Sequence, residues 1–203
     1  MKITNPPLCY PPDFYASKYQ SYYEETVNLD PTSFLDPLAV RLKPGSTVLD
    51  IGCGSGRDLL WFKQRGFLPV GLERAEGLAV LARKHSGCEV LTADFMTYNF
   101  SRRKYNGMVA VGAFVHLDRE QFAGVLGSLL TGLFLPGFLL VTMKEGAGSM
   151  ARQDGRIFTL WDSEGLETIF DDLKLQICHF ARQTSKLRPD DIWLTYLLEH
   201  NGG

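Results

Sequence analysis

Between residues 48 and 142 the chain alternates short apolar runs with helical stretches, and this alternation leaves few folds open. Residues 48–51, 68–72, 89–91, 108–111 and 138–142 are strand-like and nearly continuous in apolar character. Strands read this way when helices bury both of their faces. Residues 58–65, 76–85 and 119–134 have helical periodicity with polar faces. Strands alternating with helices require right-handed crossovers, so an α/β, doubly wound, mainly parallel sheet is expected.

The flanks differ. The first dozen residues hold four prolines and read as extended; residues 15–27 then read as a helix with an aromatic face of Tyr15, Tyr19, Tyr22 and Tyr23. After the fifth strand a Gly/Ser-rich loop, 145–155, precedes a helix at 163–171 and strands at 173–180 and 192–198. Residues 1–45 are thus expected as an N-terminal extension with a lid helix, and 46–203 as one domain. A chain of 203 residues, 45% of them hydrophobic, can bury a core without a staple. Its four cysteines form no CxxC pair and no zinc spacing, so no metal is expected, and reduced thiols in the cytoplasm are the simple reading. A net charge of −2 with scattered Lys and Arg disfavours a nucleic-acid partner. No signal peptide is recognisable, and the apolar run 129–143 is shorter than a membrane span.

The first apolar run ends in Asp50 and enters Gly52-Cys53-Gly54-Ser55-Gly56 with a helix beyond. Glycines there admit positive φ and close ligand approach, and the helix N-terminus adds unpaired N–H groups. A dinucleotide fingerprint would need its last glycine where Arg57 stands, and no P-loop Gly-Lys-Ser/Thr is present.

VLDIGCGSGRD, residues 48–58, resembles the first motif of class I S-adenosylmethionine-dependent methyltransferases. Gly71-Leu-Glu73, Thr92-Ala-Asp94-Phe95, Gly112-Ala113-Phe114-Val-His116-Leu117 and Leu135-Pro136-Gly137 resemble the family's later motifs in order and spacing. The nearest resemblance is to the small-molecule branch with tellurite-resistance and ubiquinone-type enzymes. It implies a Rossmann-like seven-stranded sheet with an antiparallel C-terminal strand, and S-adenosyl-L-methionine as cofactor. It implies that Glu73 accepts the ribose hydroxyls, Asp94 the adenine amine, and Phe95 walls the ring. The backbone of Gly52 and Gly54 then runs beside the methionine end, Asp50 orients that turn or meets the amino group, and Cys53, Gly56, Arg74, Gly112, Ala113 and Phe114 complete the cofactor set. His116 is placed near the methyl group, as base or acceptor orienter or as a structural histidine. Candidate acceptor contacts are Tyr19, Tyr23, Arg57, His116, Lys144 and Arg156, the cations suiting an anionic small molecule. Trp193 is expected in the core. The chain departs from the family at Asn106, where an acid is usual, at Arg74-Ala75 and at Phe138. The segment after the fourth strand is not N-P-P-Y, and Asn5-Pro-Pro-Leu8 precedes the cofactor turn, so base methylation is not expected.

Overall fold

The computed structural model describes residues 12–202, and the proline-rich start with Asn5-Pro-Pro-Leu8 lies outside them. Strands β1 (Thr47–Ile51), β2 (Leu68–Glu73), β3 (Glu89–Thr92), β4 (Tyr105–Val111) and β5 (Leu133–Glu145) are mutually parallel, in the order β3-β2-β1-β4-β5. Strand β9 (Ile192–His200) runs antiparallel along β5, and β8 (Gln176–Thr184) pairs antiparallel with β9. These seven strands make the expected sheet. Two more, β6 (Ser149–Ala151) and β7 (Ile157–Trp161), form a hairpin that joins β5 only through Lys144 and Glu145.

Burial on both faces explains the continuous apolar runs. Leu49 and Ile51 of β1, Met108 and Ala110 of β4, and Leu139 and Val141 of β5 pack toward α6 (Arg119–Leu130) and α7 (Ser163–Asp172). Their neighbours Val48, Val109 and Leu140 face α3 (Thr32–Ala39) and α4 (Arg57–Gln64) on the other side. The period of two is intact, but both phases are apolar. Helix α5 (Glu76–Ser86) lies beside α4 and ends at Gly87, whose φ of 61° suits a left-handed cap.

Several expectations are corrected. The helix expected over 119–134 ends at Leu130 and β5 begins at Leu133; Asp118 starts α6 with a capping box to Gln121. The N-terminal helix breaks at Lys18 into α1 (Pro12–Ser17) and α2 (Tyr19–Thr26). Helix α3, inside the segment read as an extension, carries the fully buried Leu35 and Leu38 and belongs to the layer covering the sheet. The stretch 145–155, expected as a loop, contains β6 and its turn and so is part of a hairpin. Asn106 replaces the usual acid without losing its bond: its Oδ1 accepts from Thr47 N at 2.9 Å and Thr47 Oγ1 at 3.1 Å, tying β4 to β1.

Candidate active site

The carboxyl ends of β1, β2 and β4 open onto two cavities that share Tyr15, Tyr22, Gly52, Gly54, Val111 and Gly112. Their common wall is the glycine turn. Gly52, Gly54 and Gly56 all have positive φ. A Cβ on Gly52 would meet Ala113 Cβ at 2.9 Å, and one on Gly54 would touch the Tyr22 ring at 3.3 Å. Gly56 plays a different part. A Cβ there would lie 2.8–2.9 Å from Cα, Cβ and O of Ala82, so this glycine lets α4 and α5 approach rather than facing a ligand. Cys53 likewise sends its sulfur into the core beside Gly71, and burial raises its thiol pKa.

The turn is held from below. Gly52 N and Cys53 N both donate to Leu72 O, at 2.7 and 3.1 Å. Glu73 Oε2 accepts from Gly54 N at 3.0 Å and its Oε1 from Ala75 N at 2.8 Å. Glu73 is buried in the wall of the smaller cavity; burial raises its pKa, against the lowering effect of those two N–H donors. Each carboxylate oxygen keeps a lone pair for a further donor. The side chain therefore staples the turn as well as facing the cavity, so it contributes to stability in addition to any ligand contact. Asp50 is buried under the turn with Oδ2 unpartnered, and burial, then the nearby Asp58 carboxylate, raises its pKa well above the usual range. An orphaned buried acceptor at a glycine turn is what an ammonium-bearing ligand end would satisfy.

The smaller cavity is walled by Glu73, Arg74, Leu78, Phe95, Ala113 and His116. Asp94 is not among these lining residues: Oδ1 accepts from Met96 N at 2.9 Å and Oδ2 lies 3.4 Å from Arg74 Nη1. Phe114, expected at the cofactor, is fully buried behind Phe95 in the core. Thr142 Oγ1 accepts from Gly112 N at 2.8 Å and fixes the turn after β4.

His116 donates Nδ1–H to Ile157 O at 2.5 Å, which leaves Nε2 to accept from the Tyr15 hydroxyl at 3.0 Å, the tautomer being assigned from these partners. Burial lowers its pKa. Tyr15 and Tyr22 meet edge-on at 5.1 Å above the turn. Tyr19 and Tyr23, expected at the acceptor, face α5 instead, Tyr19 against Gly77 and Tyr23 against His85. The tyrosine face was legible, but the break at Lys18 rotates which tyrosines point inward.

The larger cavity continues past Tyr15 toward β5, β7 and β9. Arg57, Lys144 and Arg156 are among its lining residues. Arg57 Nε pairs with Asp58 at 2.6 Å, Arg156 Nη2 with Asp154 at 2.6 Å, and buried Lys144 with Asp191. Arg156 also lies 4.1 Å from the Phe14 ring centroid, clasping the hairpin to α1. Sequence reasoning missed Phe34, Arg152, Phe158, Arg188 and Asp191, and placed Trp193 in the core, whereas it is a half-buried cavity wall. These residues come from segments with no motif.

Residues 48–133 match the methyltransferase domain family. A probable tRNA methyltransferase 9B from Bos taurus is 33% identical over 79 residues, 39% of this chain and 17% of that protein. A 24-methylenesterol C-methyltransferase 2 from Oryza sativa subsp. japonica is 31% identical over 123 residues, 57% of this chain and 33% of that protein. The chain thus spans about a sixth of the first relative and a third of the second. Magnesium protoporphyrin IX methyltransferase from Synechocystis PCC 6803, solved with bound S-adenosylmethionine, has the same fold (TM-score 0.74, 13% identity, 98% of this chain and 100% of that one). So does 1,6-didemethyltoxoflavin-N1-methyltransferase from Burkholderia thailandensis (TM-score 0.74, 17% identity, 98% and 94% covered). Residues 48–133 thus carry a methyltransferase-domain match, and the fold is the one shared by these solved methyltransferases.

Proposed function

We propose that the chain transfers a methyl group from S-adenosyl-L-methionine to a small-molecule acceptor, as a member of the small-molecule branch that includes tellurite-resistance and ubiquinone-type enzymes. The observation that carries this is the pair of cavities meeting at Gly52, Gly54 and Tyr15, one lined by the adenosine-type groups Glu73 and Phe95, the other by cations and aromatic rings. Glu73 holds the ribose, Asp94 and Phe95 the adenine, and Asp50 with the turn the methionine end. Arg74, Gly112 and Ala113 complete this wall. When bound, the cofactor supplies a methyl carbon on a positively charged sulfur. The acceptor's lone pair forms the new bond to that carbon as the carbon–sulfur bond breaks, its electron pair staying on sulfur; alignment and exclusion of water do most of the work.

His116 acts through Tyr15. Because Tyr15 O–H donates to Nε2, the phenol oxygen can receive a proton from an acceptor while passing its own to His116. Burial raises the Tyr15 pKa, so the phenol stays protonated and able to donate at neutral pH. Helices α1 and α2, with the β6–β7 hairpin, form the lid over this junction. Among the described residues no helix is long and apolar enough to cross a membrane. A cytoplasmic setting accords with the free Cys53, Cys88 and Cys178.

The tRNA methyltransferase relatives favour a second reading, a nucleic-acid acceptor. A screen of small acceptors and of tRNA with labelled cofactor, following release of S-adenosylhomocysteine, separates the two. Turnover with small molecules and not with tRNA supports the first reading; the reverse result replaces it.

A further inference from the structure

The charges of the larger cavity do not balance at its acceptor end. Arg57, Arg156 and Lys186 each have a carboxylate of their own, in Asp58, Asp154 and Asp30. Lys144 and Arg152 share one: Asp191 Oδ2 contacts Lys144 Nζ and lies 2.6 Å from Arg152 Nη2. Arg188 lines the same space, and among the described residues its guanidinium has no carboxylate partner. Three cations therefore face one carboxylate. The other cavity carboxylate, Asp50, lies under the glycine turn at the cofactor end. A bound sulfonium adds to the positive excess.

The surroundings of this cluster are flat and apolar. Lys144 Nζ sits 4.9 Å from the ring centroids of both Phe158 and Trp193, and Trp193 meets Phe34 edge-on at 6.4 Å. The Lys144 side chain is only 5% exposed and that of Asp191 12%, so an anion arriving here is screened little by water. Its three possible partners come from three elements: Lys144 from the end of β5, Arg152 from the hairpin, and Arg188 from the turn before β9. Asp191 N donates to Arg188 O at 2.9 Å, so the shared carboxylate and the unpaired cation belong to one closed turn.

We propose that the methyl acceptor is a planar aromatic carboxylate whose anionic group binds between Lys144, Arg152 and Arg188 while its ring lies along Phe158 and Trp193. This rests on the methyltransferase reading above and adds the acceptor's class to it. Guanidinium groups donate paired N–H bonds to the two oxygens of a carboxylate, and a carboxamide of the same shape has only one acceptor oxygen and no charge.

The test is calorimetry on the full chain with saturating S-adenosylhomocysteine, titrating benzoate, cinnamate and 1-naphthoate against their carboxamides and against hexanoate. At least one aromatic acid should bind about tenfold or more tighter than both its amide and hexanoate, the range for a charge-assisted hydrogen bond. In Arg188→Gln, an exposed change that leaves no buried charge unpaired, that margin should shrink about threefold. Amides binding as tightly as acids, hexanoate as tightly as the aromatic acids, or an undiminished margin in Arg188→Gln would each overturn the proposal while the methyltransferase reading stands. Failure of the wild-type chain to bind S-adenosylhomocysteine at all would remove both.

Discussion

The two cavities are neighbours built in opposite ways. The cofactor side is a set of short turns at the ends of parallel strands, each pinned through its backbone N–H groups: Gly52 and Cys53 to the Leu72 carbonyl, Gly54 to the Glu73 carboxylate, Gly112 to the Thr142 hydroxyl. The acceptor side is assembled from side chains of α1, α2, the β6–β7 hairpin and the turn before β9, joined by ion pairs and ring contacts. Backbone turns couple ligand binding to fold stability; side-chain clusters let the two vary apart. Substitutions that break these pins should therefore cost stability and affinity together, and those on the acceptor side affinity or local order alone.

The largest expected effect is at Gly56. Gly56→Ala combines a left-handed alanine, about 1–2 kcal/mol, with overpacking against the α5 backbone, about 1–3 kcal/mol. A thermal melt should fall by roughly 4–20 °C, at 2–4 °C per kcal/mol for a chain this size. An unchanged melting temperature would remove the close α4–α5 approach from the account.

Next comes Glu73→Ala. Loss of a charged acceptor should weaken S-adenosylhomocysteine binding by roughly 1.5–3 kcal/mol, and two unpaired N–H groups should also lower stability by about 1–3 kcal/mol. Lost affinity with full stability would show that the staple to Gly54 and Ala75 carries no weight.

Asp50 separates the two quantities on the cofactor side itself. Its folded pKa is raised, so its stabilising contribution is complete below the unfolded value near pH 3.9 and is lost as pH rises through the folded value. Asp50→Asn should stabilise the ligand-free protein by on the order of 1 kcal/mol at pH 8, less at pH 5, while weakening cofactor binding. A gain that grew as pH fell would reverse the sign and refute the assignment.

The smallest effect belongs to the acceptor side. Phe14→Ala removes the ring under Arg156, worth about 0.5–1 kcal/mol. Amide exchange in residues 14–26 should quicken while the global melt moves little, and cofactor should still slow exchange there. Exchange unchanged by both the substitution and the cofactor would show that α1 and α2 are fixed cover rather than a lid.

The same contrast governs what the sequence revealed. Strand ends with Asp50, Glu73 and Asp94 are legible because burial on both faces forces apolar runs and the turn beyond forces glycines. Phe158 and Trp193 look like ordinary strand aromatics, and only the pairing of β7 and β9 with Lys144 brings them together. Tyr15 and Tyr22 were hidden by one helix break, since a rotation of part of a turn exchanges them for Tyr19 and Tyr23. The third glycine looked like ligand backbone because sequence shows that a Cβ is missing, not which neighbour excludes it.

What the glycine turn binds decides most directly whether the cofactor side is read correctly. Calorimetry of the full chain with S-adenosylmethionine, S-adenosylhomocysteine and NAD should give one site of micromolar-range affinity, about −8 kcal/mol, for both sulfur ligands and no binding of NAD. Tight NAD binding with neither sulfur ligand bound would contradict it.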